Sequence, residues 1–296
     1  MLTDQIPKKK RIALTGATGY LGSILKKKLL QENYRVLEIL HKGTELKIID
    51  DKTVRVGLDN KEAVISELLS CSAIIHTGTC YGRNGETIEE MIDANVERPL
   101  RLVDDAIKAG VKSFVNIGSC LPENLTPYSL TKKHFWDWAE MACRDAVVSC
   151  TNIKLENFYG EMGSTNNFIT KIIRECIHSS EPIKLTEGTQ KRDFVHIDDV
   201  VDGILLIFEK GLSVGGSSCE YEIGTGQSTS VRHMVEMVAS KLGAKDRLDF
   251  GAIPCRINEP TEITVDLTNL KSLGWYAKID LEKGIQQVVD YEMGVT

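Results

Sequence analysis

A short strand, a glycine-rich turn and a helix near the N-terminus constrain the fold of this chain more than any other feature. Residues Arg11–Thr15 (RIALT) have the composition of a buried strand, and the turn Gly16–Gly22 (GATGYLG) follows directly. Residues Tyr20–Gln31 then carry apolar side chains at helical spacing. This order, with glycines spaced G-x-x-G-x-x-G, is typical of the first βαβ unit of a dinucleotide-binding sheet.

The three glycines of this turn have separate physical roles. Gly16 allows the tight turn, Gly19 lets backbone N–H groups approach a pyrophosphate, and Gly22 lets the helix pack closely on the strand. The helix N-terminus attracts the anion through its free N–H groups and its dipole. A turn without a ligand is the alternative, but the flanking strand and helix favour a cofactor site. The predicted contacts are Gly16, Thr18, Gly19, Tyr20, Leu21 and Gly22.

Short apolar strands alternate with longer amphipathic helices up to about residue 160, and beyond it the alternation loosens. Alternation of this kind predicts right-handed crossovers and an α/β fold with a doubly wound parallel sheet, the Rossmann architecture. We predict this dinucleotide-binding domain over residues 1–160, with 196–224 returning to it. A smaller, mixed C-terminal substrate-binding domain is predicted over 161–195 and 225–296.

Two of the predicted helices are long. One spans Ile88–Ala109 and ends at Gly110, a residue that tolerates a left-handed cap, and the other spans Tyr128–Ala142 and begins after Pro127.

Charge, hydropathy and cysteine usage exclude several classes of protein. The net charge of −6 provides no basic surface for nucleic acid, and no apolar run approaches the roughly 20 residues that cross a bilayer. The eight cysteines contain no C-x-x-C pair, which argues against structural zinc and for free thiols in a reducing compartment. We therefore predict a cytoplasmic protein with no metal site, no nucleic-acid partner and no membrane contact.

The end of the second predicted strand bears on the choice between NAD and NADP. An acidic residue about 20 residues past the glycines would bind the ribose 2′-hydroxyl of NAD, but this chain has Leu40-His41-Lys42-Gly43 there. His41 and Lys42 could contact a 2′-phosphate, so NADP(H) is favoured and NAD(H) stays open. A solvated turn that carries a lysine by chance is the alternative.

A Y-x-x-x-K pattern follows the fifth predicted strand. Tyr128 and Lys132 are four residues apart and share a helix face, so the ammonium can favour the phenolate and lower the pKa of the tyrosine. Such a phenol can exchange a proton when a carbonyl and an alcohol interconvert. Ser119, at the end of the fifth strand, can hydrogen-bond the same substrate oxygen. The predicted catalytic residues are Ser119, Tyr128 and Lys132.

These motifs together resemble an extended short-chain dehydrogenase/reductase of the nucleotide-sugar epimerase/dehydratase superfamily. The matching segments run in family order from residue 11 to about 288 and include TGATGYLG, IIHTGT, YSLTK, LENFYG, QKRDFVHIDDVVDGI, YEIGTGQSTSV and LGWYAKIDLEKGI. The resemblance implies that Asp59 bonds the adenine amino group with Leu58 beside it. It also implies that Thr77 and Gly78 line the cofactor path, that Asn95 supports the sheet edge nearby, and that Lys132 also holds the nicotinamide ribose.

The resemblance implies a homodimer formed through the faces of the two long helices, and it implies a substrate site as well. Asn157 and Arg192 match positions that contact the nucleotide-sugar diphosphate in relatives, and Arg256 is a candidate second arginine. For Arg192, a surface ion pair with Asp193 or Asp198 is the alternative. Cys120, next to Ser119, is also a candidate substrate contact, with a buried structural thiol as the alternative.

Within the superfamily, IKLENFYG, RDFVHIDDVV and FGAI followed by an Arg-x-Asn-Glu segment resemble CDP-abequose and CDP-paratose synthase-like 4-ketoreductases. This implies NADPH-dependent reduction of the 4-keto group of a CDP-, dTDP- or GDP-linked deoxysugar, in surface-polysaccharide sugar biosynthesis. Dehydratases carry an Asp-Glu pair after the catalytic hydroxyl, but Cys120-Leu121 stands here, so dehydration is not expected. The short loop from Ser119 to Tyr128 leaves the sugar undetermined.

Three alternatives remain open. An NAD-dependent nucleotide-sugar 4-epimerase needs the same catalytic residues, and a 3,5-epimerase/reductase would need an acid/base pair such as Cys120 with a histidine. A non-catalytic dinucleotide sensor or RNA-binding protein is the third, and such proteins commonly lose the tyrosine or lysine that this chain retains.

Overall fold

The computed structural model describes residues 10–163, 166–211 and 218–295. The strands in these ranges are β1 (Arg11–Thr15), β2 (Arg35–Leu40), β3 (Leu46–Ile48), β4 (Thr53–Gly57), β5 (Cys71–His76), β6 (Ser113–Ser119), β7 (Ser149–Leu155), β8 (Asn157–Tyr159), β9 (Ile183–Leu185), β10 (Lys191–His196), β11 (Ser218–Ile223), β12 (Ser228–Ser230) and β13 (Leu248–Phe250). The α-helices are α1 (Tyr20–Gln31), α2 (Lys61–Leu68), α3 (Ile88–Ile92), α4 (Arg98–Lys108), α5 (Pro127–Asp145), α6 (Phe168–His178), α7 (Ile197–Gly211), α8 (Val231–Lys241), α9 (Thr268–Ser272) and α10 (Leu281–Glu292). None of these helices combines the length and the apolar character needed to span a membrane.

The largest sheet has the strand order β3-β4-β2-β1-β5-β6-β7-β11. The pairs β1–β2, β1–β5, β2–β4 and β5–β6 are parallel, which confirms the predicted α/β fold with a parallel sheet. The order of the strands along the chain reverses at β1, so the carboxyl ends of β1 and β5 form the topological switch point where such sheets bind ligands.

Two differences from the predicted elements have simple physical causes. The edge strand β3 pairs antiparallel with β4 and was not predicted, because its three residues are all exposed and carry no alternating pattern. The predicted single helix Ile88–Ala109 is wrong in its interior, where Asp93–Glu97 forms a π-helical turn between α3 and α4. Over five residues, an α-helix and a π-turn produce nearly the same spacing of apolar side chains. The hydrophobic periodicity of the sequence therefore does not distinguish the two.

The described residues divide into two compact units. The first lies within Met1–Gly118, Thr126–Ile153 and Ile207–Glu220, and the second within Ser119–Leu125, Lys154–Leu206 and Tyr221–Thr296. The predicted boundaries differ, since 119–125, 154–160, 196–206 and 221–224 belong to the second unit. One cause is β8, which pairs with β10 rather than with the large sheet. That the second unit binds substrate stays a prediction.

Each unit has its own apolar core. In the first, large side chains from strands and helices pack together, including Leu37, Ile74, Phe114, Phe135 and Trp136. In the second, β8, β10 and β12 form one small sheet and β9 and β13 another. Helices α6, α8 and α10 cover a core that includes Ile173, Phe194, Met234, Val238 and Ile285. Each unit thus buries enough apolar surface to hold its polar residues in fixed positions.

Candidate active site

The glycine turn in the first unit has the close backbone approach that the sequence predicts. Gly16 adopts a φ of +67°, and a Cβ at Gly22 would lie 2.0 Å from the Gly16 carbonyl oxygen. Gly19 is the N-cap of α1, no side chain caps this helix, and its first turn has no acidic residue. The helix end is therefore open to an anion, and the cradle fits a dinucleotide pyrophosphate.

The carboxyl end of β5 lies against this turn. The Thr77 hydroxyl donates to the Thr15 carbonyl oxygen at 2.7 Å, and the Gly78 N–H donates to Thr15 Oγ1 at 3.2 Å. A Cβ on Gly16 would lie 2.6 Å from Thr77 Oγ1 and 2.7 Å from the Gly78 nitrogen. Thr77 and Gly78 therefore line the glycine turn, and their contact with a cofactor stays a prediction.

The turn after β2 brings His41 and Lys42 to the same unit, together with Asp59. The Asp59 carboxylate accepts hydrogen bonds from the Gly43 N–H and from Arg98, each at 2.8 Å, and these contacts hold its pKa below the usual range. Burial, and secondarily the Arg98 guanidinium, lowers the pKa of His41. His41 is therefore neutral at pH 7, and Lys42 is left as the cation of the predicted pair.

Arg98 is a structural residue of this turn that sequence reasoning missed. Its guanidinium bonds the His41 carbonyl oxygen, Asp59 and Asp93. Arg98 is 39 positions from Asp59, so no local pattern indicates the contact. The arginine orders the backbone that leads into Lys42.

Asn95 occupies the π-helical turn and is 2% exposed. Its side chain accepts the Cys80 N–H at 2.7 Å, donates to the Cys80 carbonyl oxygen at 2.8 Å and donates to Thr131 Oγ1 at 3.0 Å. Thr131 lies on α5, so Asn95 links the segment after β5 to the helix that carries Tyr128 and Lys132. This agrees with the expected supporting role, and π-turns are frequent at functional sites.

Tyr128 lies in the first turn of α5, and Lys132 follows one turn later. Thr126 caps the helix reciprocally with Ser129, and Pro127 occupies its first position, so the start of the helix is well defined. Tyr128 is half-buried, whereas Lys132 is 6% exposed. Burial lowers the pKa of Lys132 to about 8, which keeps the ammonium mostly protonated at pH 7 but ready to exchange a proton.

Thr18, Tyr20, Leu21 and Leu58 belong to the first unit, and the remaining predicted site residues, from Ser119 onwards along the chain, belong to the second unit. Ser119 accepts the Leu121 N–H at 3.2 Å, and the Cys120 N–H donates to the Leu155 carbonyl oxygen. Burial, with the carboxylates of Glu222 and Glu156, raises the pKa of the Cys120 thiol. Cys120 is therefore a neutral thiol near pH 7 and a poor base, which removes support from the 3,5-epimerase alternative.

Asn157 is exposed and lies beside Glu156, a half-buried acid that the sequence did not single out. Both its backbone N–H and its side-chain amide donate to one carboxylate oxygen of Glu156, and the other oxygen is buried without a hydrogen-bond partner. Burial raises the pKa of Glu156 to about 7. This carboxyl group is consequently part-protonated at neutral pH.

Arg192 is 6% exposed and is paired, although not with the aspartates considered as its alternative partners. It contacts Glu259 and donates to the Pro260 carbonyl oxygen at 3.0 Å. Glu259 belongs to the segment that begins at Arg256, which is itself exposed. Arg192 thus holds this segment in place, and its contact with a diphosphate stays a prediction, as do those of Asn157 and Arg256.

Glu161, His196 and Asp198 bring three potential metal-ligand atoms within 4.8 Å of one another. The Asp198 N–H donates to His196 Nδ1 at 3.3 Å, so Nε2 carries the imidazole proton and faces Glu161 at 3.5 Å. The proximity of His196 lowers the pKa of Glu161. The cluster fits a histidine–carboxylate pair, and the absence of a metal cofactor stays a prediction.

Known proteins resemble this chain along nearly its whole length. The NAD dependent epimerase/dehydratase family matches residues 12–224. The CDP-abequose synthase of Salmonella typhimurium is 32% identical over 95% of this chain and 98% of its own. A putative UDP-glucose 4-epimerase of Methanocaldococcus jannaschii is 26% identical over 95% and 97%. Among solved structures, MoeE5 in complex with UDP-glucose and NAD is 25% identical and superposes with a TM-score of 0.83, covering 96% of this chain and 99% of that one.

Proposed function

Because this chain belongs to the NAD dependent epimerase/dehydratase family and is an NAD(P)-dependent enzyme that modifies nucleotide sugars, we propose that it reduces a 4-keto deoxysugar nucleotide with NADPH. The observation that carries the proposal is the pair on α5, Tyr128 with a nearly buried Lys132 one turn later. The likeness to CDP-abequose synthase over 95% of the chain supports a CDP-linked substrate, with dTDP- and GDP-linked sugars as further members of the class.

Each residue of the proposed site has one task. The cofactor, when bound, supplies the hydride for the keto carbon. Tyr128 gives its phenolic proton to the developing alkoxide, and Ser119 retains its predicted role of orienting that oxygen. The buried ammonium of Lys132 stabilises the phenolate that results, and the proton is then restored from water. The turn Gly16–Gly22 is the proposed pyrophosphate cradle.

The preference for NADPH rests on the turn after β2. It has no carboxylate at the position of Leu40, and the exposed Lys42 provides a cation for a 2′-phosphate. The buried Glu38 bonds Lys26 and Arg55, so it is committed within the strand and does not serve as the ribose acid of an NAD enzyme.

A nucleotide-sugar 4-epimerase is the second candidate. It is supported by the likeness to the putative UDP-glucose 4-epimerase and by MoeE5, which was solved with UDP-glucose and NAD. An epimerase uses the same tyrosine and lysine but keeps its cofactor oxidised between turnovers. It would therefore convert a 4-hydroxy sugar nucleotide without net consumption of cofactor.

The decisive experiment follows nicotinamide absorbance while the protein is incubated with NADPH and a panel of 4-keto-6-deoxy and 4-keto-3,6-dideoxy sugar nucleotides. We expect stoichiometric oxidation of NADPH with one of them. The Tyr128→Phe variant should lose turnover and keep cofactor affinity, while Tyr276→Phe, an exposed tyrosine of the second unit, should behave as wild type. Epimerisation of a 4-hydroxy sugar nucleotide without any NADPH oxidation would refute the reductase.

We also propose that the protein is a cytoplasmic homodimer. Leu130, Trp138 and Met141 form an exposed apolar stripe along α5, and Ile88 and Ile92 are exposed on α3. Exposed apolar side chains in such a row favour burial against a second copy. Light scattering should give a dimer mass, and Trp138→Asp should shift the equilibrium towards monomer.

A further inference from the structure

The segment between β5 and α3 in the first unit is held firmly, although it is a loop. Asn95 bonds both the N–H and the carbonyl oxygen of Cys80, and Thr79 Oγ1 donates to Asn95 Oδ1 at 3.3 Å. Gly82 adopts a φ of +68°, and a Cβ there would lie 2.6 Å from the sulfur of Met91. The backbone on both sides of Tyr81 is therefore fixed.

The same anchor reaches the first turn of α5. Asn95 donates to Thr131 Oγ1, and the Thr131 hydroxyl donates to the Tyr128 carbonyl oxygen at 2.9 Å. The backbone of Tyr128 and the backbone flanking Tyr81 are thus tied to one buried amide. The relative position of the two side chains is therefore defined, because Asn95 holds both stretches of main chain.

The two tyrosine rings stack. Their centroids are 4.9 Å apart and their planes are inclined by 32°, within the range of favourable aromatic pairs. The guanidinium of Arg83 lies 4.9 Å from the centroid of the Tyr81 ring, a cation–π distance that further restrains this ring. Tyr81 is 44% exposed, and the ring contacts that the structure gives it are those with Tyr128 and Arg83.

We propose that Tyr81 is a positioning residue for Tyr128, whose ring it holds by stacking in the orientation that delivers the phenolic proton. The proposal rests on the proposed function of Tyr128 as proton donor. Tyr81 acts through its flat ring, and its hydroxyl is not required. Its loss should lower kcat, because fewer Tyr128 rings are correctly oriented at any moment, and should leave the affinity for cofactor unchanged.

Kinetic measurements compare Tyr81→Ala, Tyr81→Leu and Tyr81→Phe with the control Tyr276→Ala. An aromatic pair of this kind corresponds to a roughly two- to tenfold change in rate. We expect kcat to fall by that factor in the Ala and Leu variants, with KM for NADPH unchanged, and the Phe variant to restore most of the loss. An equal loss in the Phe variant, or wild-type kcat in the Ala and Leu variants, would overturn the proposal.

A second readout needs no substrate and separates this inference from the proposed function. The ultraviolet phenolate titration of Tyr128 is obtained as the difference between each protein and the same protein carrying Tyr128→Phe. In the Ala and Leu variants the midpoint should differ from the wild-type value, because the ring is no longer held in one orientation relative to Lys132 one turn along α5. In the Phe variant the midpoint should stay at the wild-type value. If no sugar nucleotide oxidises NADPH but the midpoint moves, the reductase proposal fails and the positioning role stands. Identical midpoints in all variants would contradict the positioning role.

Discussion

Lys132 in the first unit and Arg192 in the second are both 6% exposed cations, but their surroundings differ. Burial alone lowers the pKa of Lys132 to about 8, with no carboxylate contributing. Arg192 instead contacts Glu259 and two backbone carbonyl oxygens. A buried ammonium that no acid neutralises lowers the free energy of unfolding, and its lowered pKa lets it exchange protons near neutral pH. A guanidinium paired with a carboxylate instead holds the segment that carries its partner. We therefore expect the first unit to supply the proton-exchanging residues Tyr128 and Lys132, and the second to be arranged mainly for recognition.

The largest effect should come from removing the unneutralised cation. Lys132→Met should lower kcat/KM by about 10²–10⁴-fold, because the phenolate of Tyr128 loses its stabilising charge. The same variant should be more stable at pH 7 by about 2–3 kcal/mol, since the folded-state pKa lies below that of the unfolded chain. The cost of the ammonium is fully present below pH 8 and is relieved as the pH rises from about 8 to 10.4.

Activity assays and urea unfolding at pH 7 and 10 test this prediction. The matched control is Lys133→Met, because Lys133 is the next residue and pairs with Asp137 at the surface. It should change stability by less than about 0.5 kcal/mol. A Lys132→Met protein that keeps half of the wild-type activity would remove Lys132 from the catalytic site.

The paired cation should show the opposite behaviour. Arg192→Leu leaves Glu259 without its partner and should cost about 2–3 kcal/mol of unfolding free energy, less than a fully buried pair because Glu259 is partly exposed. The double variant Arg192→Leu/Glu259→Leu should recover at least half of that loss in a double-mutant cycle. If Arg192 also contacts the substrate diphosphate, KM for the sugar nucleotide rises in both variants. An unchanged KM would limit Arg192 to holding the segment.

Glu156 extends the comparison to an acid of the second unit. Burial raises its pKa to about 7 in the folded protein. Below the unfolded-state pKa near 4.3, Glu156 is protonated in both states and does not lower the free energy of unfolding. Above pH 7 it is ionised in both states, and the buried charge lowers the free energy of unfolding by its full amount. Glu156→Gln should therefore be more stable than wild type by about 1–2 kcal/mol at pH 8 and equal to it at pH 4. The gain is smaller than the full pKa shift would give because Glu156 is half-buried and partly screened by water. Thermal unfolding at both pH values measures the difference, and the exposed Glu97→Gln should show none. A gain that is the same at both pH values would contradict the raised pKa.

The smallest effect is expected at the cofactor-specifying turn. Lys42 is exposed, so its interaction with a 2′-phosphate is screened by water. Lys42→Ala should weaken NADPH relative to NADH by roughly two- to fivefold, as measured by fluorescence titration. Lys47→Ala, on the exposed strand β3, provides the control. An unchanged preference would show that this lysine does not read the phosphate.

The parts that sequence reasoning anticipated depend on short spacings. The turn Gly16–Gly22 and the pair Tyr128 and Lys132 are fixed by the strand or helix that carries them, so their patterns predicted their placement. Arg98 and Glu259 were missed because their partners are 39 and 67 residues away along the chain. The burial of Glu156 depends on the packing of the second unit, which no local pattern encodes.

The π-helical turn Asp93–Glu97 also determines the directions in which the side chains before and after it point. Each residue of an α-helix advances the side chains by about 100°, and a π-turn accommodates one residue more than the α-helix around it. Asn95 can therefore face α5 while Arg98, in the first turn of α4, faces the turn after β2. Deleting one residue from this turn would leave a continuous helix whose two halves are out of register, so that one of the two contacts would be lost. The relation between α5 and the turn after β2 thus depends on the one additional residue of the π-helical turn.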